Sequence, residues 1–436
     1  MEYGFRTLNY LGSKLRLLDF IERNVRNITP EGSGVCDLFA GSGCVSYKLS
    51  SLYSVIACDI QHYSKVINSA LLLPSSLTKD VANQFISEIK TENASILKAF
   101  APLINLENDA INNKNIELLS DIVEYGSVEV FNIEKSESKI SPEQFLVNEN
   151  LKKQGLCGKE SFISRYYGGV YFSYLQAVHI DMILAAIRNH HNETNRIIFM
   201  AALLSTVSDV VCTVGKHFAQ PIKTRNSKGD IKKLVYSKAI KDKTINIILL
   251  FETWVYKYLS LQKGPNANTI LQGDYIDCLR MLPDNVRTVY ADPPYTRDHY
   301  SRFYHVLETI ALDDMPEIST VNIHGNTHIS NGIYRKDRHQ SPFCIKSKAP
   351  KAFDDLFRIV AESNRNLVLS YSPYDESKLS HPRVVTIDQL LSLAKIYFHS
   401  VDIVSAGYFT HNKLNSTEHF LDSSKEAEIL IICSDR

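Results

Sequence analysis

Apolar and polar residues follow two different rhythms along this chain, and the rhythm changes with position. Near the start, 34–39 (GVCDLF) and 54–59 (SVIACD) are short apolar runs with β-branched residues. Similar runs return at 269–272, 286–291 (VRTVYA), 366–371 (NLVLSY), 403–409 (IVSAGYF) and 427–433 (AEILIIC). Runs of this length without strict alternation predict strands buried on both faces. Helical spacing lies between several of them. After Val385, Thr386 and Gln389 stand in capping-box spacing and LLSLAKIYF continues the pattern. Strands alternating with helices argue for an α/β fold with a largely parallel sheet. From about 80 to 265 the rhythm is helical, best in 171–190 and 196–214. The longest apolar stretch, 197–214, is interrupted by Ser205, Thr206, Ser208 and Asp209, so it predicts a buried helix and not a membrane span. The expected organisation is one α/β domain built from 1–79 and 269–436, interrupted by a mostly helical insertion, 80–268.

Composition changes this picture little: 44% of the 436 residues are hydrophobic and 22% charged, as in an ordinary globular protein. Charge changes it more. Lys plus Arg and Asp plus Glu are both 48, yet 80–150 holds thirteen acidic and five basic residues, and 216–243 holds nine basic and two acidic. A second basic stretch, 335–351, has six basic residues against one acidic. A nucleic-acid partner would therefore be met by a local patch. None of the eight cysteines stands in C-x-x-C spacing, which argues for free thiols without disulfides or zinc. The first ten residues, MEYGFRTLNY, lack an apolar signal core, so a cytoplasmic location is expected, with no membrane and no metal requirement.

Chemistry concentrates at the predicted strand ends. The run 35–44 (VCDLFAGSGC) delivers Asp37 to the end of a strand, and Gly41 and Gly43 let the backbone turn tightly against a ligand. The second strand ends on Asp59, placed to hold both hydroxyls of a ribose. Ser46 stands where a dinucleotide fold has its third glycine, and Asp37 would repel a pyrophosphate. Both details favour S-adenosylmethionine, whose sulfonium and ammonium tolerate a carboxylate. At the end of another strand, Asp292-Pro293-Pro294-Tyr295 offers a carboxylate, carbonyl acceptors freed by the proline turn, and a ring on which a base can stack. An exocyclic amino group needs these features before it attacks a methyl donor. Lys14, with Tyr10 beside it, can pair a ligand carboxylate, and Asp274 ends a further strand.

Together these runs resemble the α class (Dam-like) of DNA N6-adenine methyltransferases, a family that includes many bacterial restriction-modification methylases. The order matches: Tyr10 and Lys14, the Asp37–Gly43 loop, Asp59, an insertion, Asp274-Tyr275, then Asp292–Tyr295. The resemblance implies a Rossmann-like methyltransferase sheet and S-adenosylmethionine held by Tyr10, Lys14, Asp37, Phe39, Gly41, Gly43, Asp59, Asp274, Tyr275 and Asp292. It also implies a flipped adenine held by Asp292, Pro293, Pro294 and Tyr295, in duplex DNA. A cognate restriction endonuclease or defence-system subunit would be a natural partner. The insertion is larger than the family pattern needs, so recognition residues do not carry over. By charge, the DNA contacts expected are Lys223, Arg225, Lys228, Lys232 and Lys233 in the insertion. Beside the proline turn, Arg297, Tyr300, Arg302 and Tyr304 mix cations with rings and are expected to contact DNA as well, a composition suited to an unstacked strand. His299 and His305 read as structural. The same motifs admit two other readings: an RNA adenine or cytosine-N4 amino group as target, or a non-catalytic DNA-binding subunit that kept the fold.

Overall fold

The computed structural model describes residues 5–91, 94–135, 138–297, 300–323, 325–372, 383–406 and 428–434. The chain separates into two compact units, one formed by 1–74, 261–301 and 339–436, the other by 75–260 and 302–338. The stretch 302–338, which follows the proline turn in sequence, thus belongs with the helical residues.

The first unit is built on a seven-stranded sheet: β1 (Gly34–Asp37), β2 (Val55–Asp59), β3 (Thr269–Gln272), β4 (Val286–Ala291), β5 (Asn366–Tyr371), β6 (Ser400–Ser405) and β7 (Ile429–Ser434). Their order is β3-β2-β1-β4-β5-β7-β6. All pairings are parallel except those of β7, which runs antiparallel to both β5 and β6. Successive residues of each central strand divide between two cores, as a pleated strand buried on both faces requires. Val35, Val55, Val368 and Ile432 pack on one side with the helix Leu18–Ile28. Cys36, Ile56, Leu367 and Ile431 pack on the other, with the helix Ala349–Glu362. The capping box at Thr386 and Gln389 forms and starts the helix Ile387–Tyr397. Strand β6 begins earlier than the apolar run indicated, at Ser400, and 407–409 lie outside the described residues.

The second unit is helical. Its core packs side chains of Ala94–Asn112, Ser141–Gln154 and Tyr174–Asn189. Two boundaries differ from the apolar pattern because side chains cap the helices. Ser173 and Gln176 form a capping box, so the helix begins at Tyr174 and leaves Tyr171 outside it. Asn192 caps the helix Glu193–Val210, which therefore starts before Arg196. Among the described residues no helix is long and apolar enough to cross a membrane. The sole two-stranded sheet among the described residues is a ribbon of Thr320–Ile323 paired antiparallel with Asn326–Ile329.

Candidate active site

Four parallel strands, β1 to β4, end at one edge of the sheet, and each ends at or just before an aspartate: Asp37, Asp59, Asp274 and Asp292. The strand order reverses between β1 and β4, and Asp37 and Asp292 flank that point, where open α/β sheets bind their ligands. An open cleft lies there, bordered by Tyr10, Lys14, Phe39, Asp59, Tyr275 and the 292–295 turn.

Two glycines shape the cofactor side. Gly41 has φ +49°, and a Cβ on it would lie 2.8 Å from the Tyr10 hydroxyl oxygen. Gly43, at φ +75°, opens the helix Cys44–Leu49, and its Cβ would lie 2.5 Å from Leu71 Cδ1. Any side chain at either position would be both strained and obstructed. The turn they make lets the Gly41 N–H donate to Asp59 Oδ2 at 2.8 Å while the Gln61 N–H donates to Oδ1 at 2.8 Å. Burial raises the Asp59 pKa and these two donors oppose it. Asp274 caps the helix Tyr275–Arg280 through the Ile276 N–H, 3.0 Å. Phe39 and Tyr275 lie nearly parallel with centroids 6.3 Å apart, and Phe343 meets both edge-on. This makes an aromatic wall suited to a purine.

Asp37 is almost wholly buried at the end of β1. Ser46 Oγ donates to its Oδ2 at 2.6 Å, whereas Oδ1 has no partner among the described residues. Burial raises its pKa to about 7, against the Ser46 hydrogen bond, and Asp292 and Asp59 push the same way as burial. An unanswered buried carboxylate oxygen is the feature a cationic ligand would relieve, and the residues present fit S-adenosylmethionine on that ground.

At the reaction end, Lys14 reaches Asp292 Oδ2 at 3.0 Å and Glu428 Oε1 at 3.3 Å. Burial alone would lower the Lys14 pKa, but the two carboxylates outweigh it and hold it well above the usual value. Asp292 is raised by burial, with Lys14 opposing and Glu428 adding. Tyr295 lies at the end of the turn with the Arg383 guanidinium 4.8 Å above its ring and Lys14 Nζ 5.8 Å away. Cys344 Sγ lies 3.9 Å from the Pro294 carbonyl, so the segment 339–344 closes against the turn.

Glu428 was not anticipated. It is 1% exposed and accepts from Ser370 Oγ at 2.7 Å. Because β7 runs opposite to its neighbours, the residue before it meets the edge where the parallel strands end. A carboxylate opening an apolar strand was the available signal.

The structure treats the expected DNA contacts unevenly. Lys223, Lys228 and Lys233 are exposed and Lys232 half-buried, around a tight turn in which Arg225 bridges Ile231. Arg225 is committed elsewhere, 3.6 Å from Asp121 and 3.5 Å from Glu124. Other members of the basic stretch pair internally, Lys216 and Lys238 with Asp242 and Lys243 with Glu107. The acidic segment therefore answers part of the basic one. Arg297 is exposed and Tyr300 borders the cleft. Arg302 is exposed. Tyr304 corrects the expectation: at 2% exposure its ring is core, because it immediately precedes the buried helix His305–Leu312. His305 Nε2 donates to the Phe218 carbonyl at 3.2 Å, and burial pushes the ring's pKa down to about 3, which suits a structural ring. His299 lies outside the described residues.

The model for D12 class N6 adenine-specific DNA methyltransferases matches residues 10–156 and 257–367. The chain belongs to that family. Among curated relatives, the modification methylase LlaI of Lactococcus lactis subsp. lactis is 27% identical over 391 residues, 89% of this chain and 48% of the relative. The type II methyltransferase M.FokI of Planomicrobium okeanokoites is 26% identical over 376 residues, 84% of this chain and 44% of its own length. M.NlaIII of Neisseria lactamica, also a type II methyltransferase, is 23% identical over 355 residues, 80% of each chain. The chain thus spans about half the length of the first two. The D12 match includes Tyr10, Lys14, the glycine turn, Asp59 and the 292–295 turn, and it ends before Glu428.

Proposed function

We propose that the protein transfers the methyl group of S-adenosylmethionine to N6 of an adenine extruded from duplex DNA. The observation that carries this reading is the Asp292-Pro-Pro-Tyr295 turn at the switch point of the sheet, with Lys14 clamped to Asp292. S-adenosylmethionine supplies an activated methyl group when bound. Asp59 takes the ribose hydroxyls, Phe39 and Tyr275 flank the purine, and Asp37 answers the positive end. At the other end, Tyr295 stacks on the target base while Asp292 and a carbonyl of the proline turn accept from the N6 amino group. The methyl–sulfur bond breaks as the N6–carbon bond forms, leaving a neutral thioether. The surplus N6 proton then passes to Asp292. Holding the two reactants in line supplies most of the acceleration, roughly 7–11 kcal/mol in well-oriented pairs. Extruding the base costs a few kcal/mol and stacking on Tyr295 offsets part of it.

The first unit is the catalytic domain in this reading, and the lysines at 223, 228, 232 and 233 contact phosphates. The relatives are named as modification and type II methyltransferases, which supports a restriction-modification setting with a cognate endonuclease as partner. The test is transfer of labelled methyl to unmethylated duplex DNA, with the product nucleoside identified and Asp292→Ala alongside. Label in N6-methyladenine, abolished by Asp292→Ala while cofactor affinity is kept, is the expected result. Full activity in that variant would sink the assignment.

A further inference from the structure

The ribbon of Thr320–Ile323 and Asn326–Ile329 is unlike the rest of the protein. Seven of its eight strand residues are exposed or half-buried, and only Ile329 is buried. Val321 and Ile323 stand 41% and 47% exposed. A two-stranded ribbon with neither face packed is marginal in water, so its shape must be held from outside. The anchor is at its base. The Ile329 N–H donates to Glu134 Oε1 at 2.7 Å, Ser330 N–H to the Ser319 carbonyl at 2.9 Å, and Ser319 N–H to the Tyr334 carbonyl at 2.7 Å. The protein thus fixes the base of the ribbon, where His328 Nδ1 also lies 3.8 Å from Glu134 Oε1, and towards its tip Asn322 Oδ1 accepts the Gly325 N–H at 3.0 Å.

Its chemistry is selective. Residues 320–329 (TVNIHGNTHI) contain no carboxylate. Register places Asn322 opposite Thr327 on one face, and Val321 opposite His328 with Ile323 opposite Asn326 on the other. Amides, a hydroxyl and small apolar groups are the side chains that read adenine edges and thymine methyls. Beside the anchor, the guanidinium of Arg338 lies 4.9 Å and that of Arg302 5.7 Å from the Tyr334 ring centroid. Neither has a carboxylate partner among the described residues; Arg338 donates to Ser319 Oγ at 2.9 Å and to the Arg335 carbonyl. Two cations held on one ring without a counter-charge form a site for an anion, and the phosphate backbone of a duplex supplies anions beside a groove that admits a two-stranded ribbon. In sequence this element lies between Ser301 and His339, both of which line the cleft.

We propose that the 320–329 ribbon enters the major groove of duplex DNA and reads its bases, while Arg302 and Arg338 hold the adjacent phosphates. This rests on the reading of DNA as the substrate. It places sequence readout in a segment distinct from the basic stretch 216–243.

The test measures binding of a fluorescently labelled duplex by anisotropy across a salt series, without cofactor. Duplexes selected by binding from a random-sequence pool and then sequenced define the preferred site, and unselected duplexes serve as unrelated ones. Arg302→Ala with Arg338→Ala should lower the slope of log affinity against log salt by about 1.8, at roughly 0.9 per phosphate contact. Asn322→Ala with Asn326→Ala should leave the slope unchanged and narrow the preference between duplexes by roughly tenfold or more. Thermal unfolding and cofactor affinity equal to wild type confirm that the variants are folded. Wild-type slope and preference in both folded variants would overturn the proposal while leaving methyl transfer intact. A wild-type protein that binds duplexes through these residues yet places no label in DNA would support the ribbon and overturn the reaction. A wild-type protein that binds no duplex would overturn both.

Discussion

Lys14 in the α/β unit and Lys243 in the helical unit are both nearly inaccessible, and each meets a carboxylate at close range, 3.0 Å to Asp292 and 2.8 Å to Glu107. Their surroundings differ. Lys243 also donates to the Gly169 carbonyl at 2.7 Å, while the second oxygen of Glu107 accepts the Tyr174 N–H at 2.7 Å. One cation faces one anion, and each makes a further hydrogen bond outside the pair, which suits a buried pair that only holds helices together. Lys14 instead faces two carboxylates, and the Asp292 side chain keeps 22% exposure toward the cleft. That arrangement carries surplus negative charge and one accessible oxygen. A closed pair is structure; an open triad can take up a cationic ligand or a proton.

The comparison breaks most visibly by removing each lysine. Lys14→Met should reduce methyl transfer roughly 10²–10³-fold, the scale for losing one preorganised electrostatic partner. It also costs stability, because Glu428, 1% exposed, is left beside Asp292 without that cation. Lys243→Met should cost about 3–5 kcal/mol by stranding Glu107, while the remaining folded protein turns over normally. Calorimetry and single-turnover rates at low temperature separate the two. A folded Lys243→Met protein as inactive as Lys14→Met would erase the distinction.

A finer cut is Glu428→Gln, which keeps the shape and removes one charge of the triad. With a single carboxylate left, Lys14 is pulled toward Asp292, and kcat should fall about tenfold, one pK unit of interaction. The direction in pH follows from the charges. Glu428 adds to the raised pKa of Asp292, and the ionised form accepts from N6, so activity climbs as pH rises through that pKa. Without Glu428 the pKa drops and the acidic limb of kcat moves to lower pH. Glu428→Asp should restore part of the rate. A pH profile with an unmoved limb would reduce Glu428 to packing.

Legibility in the sequence followed the kind of interaction involved. Strands β3, β4 and β5 begin and end where their apolar runs do; β4 and β5 are buried and have no polar face to blur the boundary, whereas β3, at the sheet edge, is exposed or half-buried throughout, against the burial its run predicted. The aspartates at strand ends could be read because a carboxylate after an apolar run has few structural uses. Glu428 was not read, although a carboxylate opens that apolar strand, since its importance arises from β7 running against its neighbours, a fact of topology. The ribbon was missed for a related reason: its residues alternate weakly and bury only Ile329. The DNA-contact expectations were weakest because charge counts ignore pairing. Arg225 and Tyr304 belong to local structure that only the fold reveals.

Asp37 sharpens the cofactor half of the comparison. Its folded pKa, about 7, stands above the ordinary 3.8, so its stabilising effect is complete at low pH and is lost as pH rises through 7. A positively charged ligand reverses the preference by favouring the carboxylate. Affinity for S-adenosylmethionine should therefore rise about tenfold per pH unit up to 7 and level off above it, with up to one proton released on binding at pH 6. Titration calorimetry in buffers of different ionisation enthalpy measures that proton. Asp37→Asn should flatten the profile, and a flat wild-type profile would contradict the assignment.

The smallest effects should come from the helical unit's surface, where paired and unpaired cations stand a few residues apart. Lys223 and Lys228 are exposed on the 224–232 turn or beside it, while Arg225 is shared between Asp121 and Glu124. A cation already neutralised by protein carboxylates displaces few counterions from DNA. Lys223→Ala and Lys228→Ala should each lower the salt slope of DNA binding by about 0.9, with affinity falling for all sequences alike. Arg225→Ala should change the slope by much less and instead loosen the turn from the helix Ile116–Tyr125. Equal slopes for all three variants would mean that DNA competes Arg225 away from its carboxylates, and that the acidic segment regulates access to the basic one.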